Sequence, residues 1–352
     1  MMVTGEFPAP GPQDRESRDW SHIPPPAGGP ASRPQSPMLT AHKPGIVPLR
    51  PLQLGDILDG AVKAVRFNPK SMVGLSALVL AVFLIPSAAL GVGSTHLMAS
   101  FLNRFGPEAQ ALLGAPSSLI QSISTGLATA LLSGLLIQVV GQAVLGRKDD
   151  IGMTWRTTRG RLLPLLALVL LTGAFSLVTS ALLLGPGVLL VVNDTIGAGV
   201  ILLLLGLVCT FALALYVSTK IALAAPAIVL EGHGVIAGLR RSFALTKGAA
   251  VFCRILRISL AAGILAAVVG ALLGAPFSII GVAIAAIAGQ DSEGGQLVVT
   301  FVSHLSALLS GAITTPFVAA VTGLLYIDRR MRLEALDVVL VREAQTNPAP
   351  RI

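Results

Sequence analysis

The chain has 352 residues, 53% of them hydrophobic and only 12% charged, with a formal net charge of +8. Soluble domains carry about 25% charged residues, so this composition, with a mean hydropathy of +0.80, excludes an ordinary soluble globular protein. Cys209 and Cys253 stand far apart and outside any CxxC pair, which argues against a redox or metal centre and predicts small apolar packing residues.

Residues 1–50 hold eleven of the 23 prolines and few large aliphatic side chains. Such a segment buries too little surface to offset its ordering entropy, so a disordered, Pro-rich cytoplasmic tail is predicted there. Asp14, Glu16, Arg18 and Asp19 lie in it, and it has no apolar core of the kind a secretory signal requires. The first span is therefore expected to act as an uncleaved signal anchor. Residues 51–343 are predicted to form one membrane domain, and 344–352 a short cytoplasmic tail.

Leu54, Ile57, Leu58, Ala61, Val62 and Val65 recur at helical spacing. Asp56, Asp59, Lys63 and Arg66 fill the opposite face, with Asp59 and Lys63 set for an i,i+4 pair. Asn68-Pro69 ends this helix, because a residue before proline disfavours the helical region. It is too short to span, and its apolar stripe suits the cytoplasmic interface.

A span needs about 20 mostly apolar residues to cross a hydrocarbon core roughly 30 Å thick. Six stretches qualify: Ser71–Thr95, Leu119–Leu145, Leu162–Val192, Ile196–Lys220, Ile255–Gly289 and Leu297–Ile327. Hydrocarbon offers no hydrogen bonds, so each stretch must be helical. The predicted fold is all-α, a polytopic bundle of six transmembrane helices with short interfacial helices before spans 1, 3 and 5. Before span 3, a helix runs from Asp149-Asp150 to Arg159, acidic first and basic last, as the helix dipole prefers. Before span 5, Ile236, Leu239 and Phe243 form a stripe beside Arg240, Arg241 and Lys247, and Gly248 stops it. The pattern reads as three units, each an interfacial helix followed by a membrane hairpin. Pro86, Pro276 and Pro316 predict kinks within spans, and Gly185-Pro186-Gly187 predicts a break in the third. The GxxxG of Gly270 and Gly274 suits close packing within the chain.

On this plan 24 of the 25 Lys and Arg residues fall on one side, leaving only Arg104 on the other. The positive-inside rule then puts both termini in the cytoplasm of a cell that carries this protein in its inner membrane. Each basic residue near an anionic leaflet is worth about 1 kcal/mol. Headgroups on the cytoplasmic face thus account for the basic excess, and a nucleic-acid partner is not expected. A homo-oligomer or a membrane-protein partner is compatible with the plan.

Catalysis needs convergent polar groups, and the spans offer few. His304 lies inside the last span with Ser303 and Ser306 beside it, which favours a neutral, hydrogen-bonded imidazole over a functional one. The five histidines are scattered, and no HExxH, Walker or GxSxG motif occurs. No catalytic, metal or cofactor site is predicted. Lys220, at the end of the fourth span, is placed to snorkel to the headgroups. The densest polar cluster joins Glu231, Arg240, Arg241 and Lys247 after span 4 to Asp328, Arg329, Arg330, Glu334 and Asp337 after span 6. These groups could pair and clamp the bundle, or grip a lipid phosphate, which arginine binds bidentately.

Three stretches, PLQLGDILDGAVKAVRFNP, APAIVLEGHGVIAGLRRSFALTKG and LLYIDRRMRLEALDVVL, carry a resemblance. Together they resemble the membrane-domain family named after glycerophosphoryl diester phosphodiesterases, in its actinobacterial stand-alone form, over roughly residues 45–342. The matching motif positions are Asp56, Glu231, Arg241, Ser242, Asp328, Arg330, Glu334 and Asp337. In some members the domain precedes a soluble phosphodiesterase barrel, but no His-Arg-Gly occurs in this chain, so that activity is not carried over. The resemblance implies a membrane protein without enzymatic activity of its own, organising lipids or partner proteins. A membrane transporter for a small or lipid-like substrate is the alternative, and it would need a polar path at mid-membrane.

Overall fold

In a computed structural model of the chain, the described residues are 46–47, 51–102, 115–148, 150–193, 195–289 and 293–334. They form ten α-helices and, among themselves, no strand: α1 (Leu54–Phe67), α2 (Leu75–Leu102), α3 (Ala115–Val144), α4 (Ile151–Thr158), α5 (Leu162–Val192), α6 (Ile196–Ile221), α7 (Ala224–Glu231), α8 (Val235–Leu245), α9 (Ala249–Ala288) and α10 (Glu293–Glu334). Six of these, α2, α3, α5, α6, α9 and α10, lie in stretches long and apolar enough to cross a membrane. The fold is the predicted all-α polytopic bundle.

The long helices form three antiparallel hairpins, α2–α3, α5–α6 and α9–α10, and α10 also packs on α1, α2 and α3. Half of the most apolar stretch of α3 is buried, against 6% for α6. The core therefore lies around α3 and the second half of α10, where Leu132, Leu136, Val140, Ala320, Leu324 and Tyr326 are fully covered. The α5–α6 hairpin stands at the margin, with Leu171, Leu182, Leu204 and Phe211 exposed. Apolar side chains turned outward need no protein cover when lipid surrounds them, because lipid tails are as apolar as leucine.

Short helices precede each hairpin, as α1, α4 and α8. α4 is N-capped by Asp150 and passes through a 3-10 turn, Arg159–Arg161, directly into α5. In α1 a capping box joins Gln53 and Asp56. Its predicted stripe divides in two. Ile57 and Ala61, with Gly60 and Ala64, are buried, whereas Leu54 and Val62 stay exposed. α8 buries Gly238, Ser242 and Leu245 and turns the predicted apolar residues Ile236 and Phe243 outward.

Several expectations need correction. α9 starts six residues before its predicted span, and α10 runs seven residues beyond Ile327. At 1.5 Å per residue each is about 60 Å long, twice the hydrocarbon thickness, which leaves length for charged ends outside it. Gly185-Pro186-Gly187 does not break α5, which continues to Val192. A Cβ on Gly187 would lie 2.8 Å from Leu203 Cγ, so the motif is where α6 presses against α5. Gly270 and Gly274 face Ser310 and Ser306 of α10, an intramolecular use of GxxxG. Cys209 and Cys253 are exposed, not packed. Ile46 and Val47, from the stretch expected as a tail, are buried, with the Ile46 amide donating to Ala143 O at 3.3 Å. The remainder of residues 1–50 and all of 335–352 lie outside the described residues.

Candidate functional site: the charged end of the bundle

The last turns of α10 present three faces. Tyr326, Arg330 and Glu334 recur every four residues and share one side; Asp328 and Arg332 share another; Arg329 occupies a third. The three faces reach α7 and α8, the entry to α1 with the start of α9, and the end of α8, and so α10 gathers Glu231, Arg241, Arg254 and its own charged residues at one end.

The first face meets α7 and α8. α7 went unpredicted, although Pro226 in its first turn and Gly232 after its end are helix start and stop signals. Gly232 takes a left-handed conformation, φ 76°, which ends α7 at Glu231. Glu231 Oε1 accepts from the Tyr326 hydroxyl and from Arg241 Nη2 at 3.2 Å, and lies 3.3 Å from Arg330 Nε. Its Oε2 lies 2.9 Å from His233 Nε2. Glu334 accepts from Arg241 through Oε1 and from Arg330 Nε through Oε2 at 2.8 Å. Two carboxylates thus interlock with two guanidiniums, and the cluster is electrically balanced. Burial works against the Arg241 cation, but its hydrogen bonds to Glu231 and Glu334 outweigh that and hold its pKa above the ordinary arginine value. Beside it, Ser242 Oγ donates to Lys220 O at 2.6 Å and accepts from the Leu223 amide at 3.3 Å, bridging the break between α6 and α7. Lys220 itself reaches Thr246 O at 3.3 Å and lies over the Phe252 and Tyr216 rings.

The second face meets the entry to α1 and the start of α9. Asp328 is fully buried. Its Oδ1 accepts from the Leu52 amide at 2.7 Å and Arg332 Nε at 3.0 Å, and its Oδ2 lies 3.0 Å from Arg254 Nη2. Arg254 and Arg332 also donate to Leu52 O, at 2.6 and 2.8 Å. On the third face, buried Arg329 donates through Nε and Nη2 to Leu245 O, at 3.2 and 3.1 Å, and so closes the C-terminal end of α8.

The structure thus divides the predicted cluster. It joins Glu231, Arg241, Arg330 and Glu334, and sets Asp328 and Arg329 apart from them. Arg240 and Lys247 are exposed and, among the described residues, make no ion pair. Asp337 lies outside the described residues. Sequence reasoning missed Tyr326, whose i,i+4 spacing to Arg330 was a usable signal. It also counted Arg254 only among the basic residues flanking the spans, since nothing local ties it to Leu52 or Asp328.

Inside the membrane region, buried His304 is held by hydrogen bonds, Nδ1 to Thr300 O at 2.8 Å and Nε2 to Ser87 Oγ at 2.9 Å. A neutral ring donating from Nδ1 satisfies both where the single Ser87 hydroxyl proton turns to Nε2 and not to Leu84 O, its other acceptor at 3.0 Å. A cavity of about 220 Å³ between α5 and α6 is lined by Thr172, Ser176, Thr179, Thr210 and Ser218 among apolar residues. Thr172, Thr179 and Ser218 donate to carbonyls of their own helices, while Thr210 Oγ1 is buried without a partner. No family model, curated protein or solved structure matches this chain.

Proposed function

We propose that the chain is a non-catalytic domain of the cell membrane, with both termini cytoplasmic, that organises lipids or partner proteins at its charged face. The supporting observation is the balanced cluster around Glu231. Both of its carboxylate oxygens, and both of Glu334, already face donors, so the densest polar site presents a clamp and not a poised base. On this reading α1, α4 and α8 lie at the interface. The resemblance to the phosphodiesterase membrane-domain family is carried as part of the proposal. Of its eight motif positions, Glu231, Arg241, Ser242, Asp328, Arg330 and Glu334 hold helix ends together, Asp56 caps α1, and Asp337 lies outside the described residues, which suits a family signature of folding.

Exposed Arg240 offers the test. A photoreactive amino acid placed there in living cells is expected to capture anionic lipid or one recurring membrane protein. Capture of neither would sink the proposal. Transport is the second reading, favoured by the hydroxyl-lined cavity and the unpartnered Thr210. Solute flux in proteoliposomes that Thr210→Val abolishes would move the assignment there.

A further inference from the structure

Two cavities lie along the flank of α1, between it, α9 and α10. The first, about 320 Å³, is lined by Arg254, Arg257 and Arg332 together with Leu54 and Ile258. The second, about 230 Å³, is lined by Val62, Val65, Leu265, Val269 and Phe317, with Arg66 among them. They share one register. Leu54, Val62 and Val65 fall on one stripe of α1, and Ile258, Leu265 and Val269 on one stripe of α9. Seven residues separate Ile258 from Leu265, so the apolar cavity lies about 10 Å further along α9, on the side away from the charged end.

Charge distinguishes the first cavity from the balanced Glu231 cluster. Three guanidiniums face it, and Asp328 is the carboxylate that answers them, through Arg254 and Arg332. Arg257 has no acidic partner among the described residues. Its Nε donates only to Cys253 O of its own helix, at 3.3 Å. Asp56, at the start of α1, accepts from the Gln53 amide in the capping box. The cavity therefore keeps an excess of positive charge in a setting of planar, bidentate donors, which is what a phosphate oxyanion requires.

We propose that this cleft binds an anionic phospholipid, its phosphate among Arg254, Arg257 and Arg332 and one acyl chain along Val62, Val65, Leu265 and Val269. The order of the two cavities, basic at the bundle end and apolar beyond it, follows the order of phosphate and chain in a lipid of that leaflet. The same wall explains why Leu54 and Val62 stay uncovered while Ile57 and Ala61 are buried. This inference deepens the lipid reading proposed above and rests on it.

The test is native mass spectrometry of the purified full chain, titrated with phosphatidylglycerol in the presence and absence of inorganic phosphate. Arg257→Gln is expected to weaken lipid retention roughly tenfold, the usual scale for one charge-assisted contact. Val269→Trp, which fills the apolar cavity, should weaken it as well, and Arg156→Gln, at an exposed position of α4, should not. Equal loss in Arg257→Gln and Arg156→Gln, or no loss in Arg257→Gln, overturns the site. Displacement by millimolar phosphate with Val269→Trp behaving as wild type overturns the lipid and leaves free phosphate as the ligand. Among the described residues Arg257 bonds only its own helix, so its variant remains informative if the tryptophan disrupts folding. It also leaves the Glu231 clamp intact, so failure here is separable from failure of the capture experiment at Arg240.

Discussion

Asp328 combines full burial with three donors, the Leu52 amide, Arg254 and Arg332. A buried carboxylate is costly to desolvate, but removing it is worse once its partners are committed, because two cations lose their counter-charge. Breaking a buried pair by deleting one member typically costs about 3–5 kcal/mol. Asp328→Ala is therefore expected to destabilise the protein on that scale in thermal or denaturant melts in detergent, and Asp328→Asn by less. An unchanged melt would show that Arg254 and Arg332 find other partners. Tyr326→Phe is gentler. It deletes one donor to a Glu231 carboxylate that keeps Arg241, Arg330 and His233, so a loss of about 1.5 kcal/mol is expected, with helicity intact by circular dichroism.

At the level of elements, the α5–α6 hairpin depends on backbones in close approach. A Cβ on Gly187 would meet Leu203 Cγ at 2.8 Å and the Leu203 amide nitrogen at 2.9 Å, and one on Gly199 would meet the Val191 nitrogen at 2.8 Å. Backbone atoms cannot rotate away as a side chain can, so Gly187→Val should splay the hairpin. Overpacking of this kind costs about 1–3 kcal/mol, read as a lowered melting temperature and faster proteolysis near residues 193–195. These contacts also show what the sequence hid. The third span was legible to the residue, Leu162–Val192, because continuous apolarity bounded by Arg161 and Asn193 signals a span by itself. Gly185-Pro186-Gly187 was misread because a local rule for breaking helices competes with a tertiary role, contact with α6, that has no local signature. The charged cluster was legible as a neighbourhood, since charges at helix ends on one face must lie near one another. Its partition was not: whether Arg254 meets Asp328 or Glu231 depends on how α9 is rotated against α10, which periodicity leaves open.

For the whole molecule, the proposed threading makes a prediction through the two cysteines, both exposed. Cys253 stands in the first turns of α9, one residue before Arg254 of the charged end, and Cys209 lies midway along α6. In intact cells a membrane-impermeant maleimide is expected to miss both, and after permeabilisation to modify Cys253 while Cys209 stays protected by lipid. Labelling of Cys253 from outside would reverse the orientation. The bond between the Leu52 amide and Asp328 spans 276 residues of sequence, and α1 packs chiefly on α10. Synthesis runs from the N-terminus, so among the described helices α1 precedes α10, its chief packing partner. Full cover of its Ile57–Ala61 face therefore waits for α10, and the seat of α1 is completed only when the last described span is present.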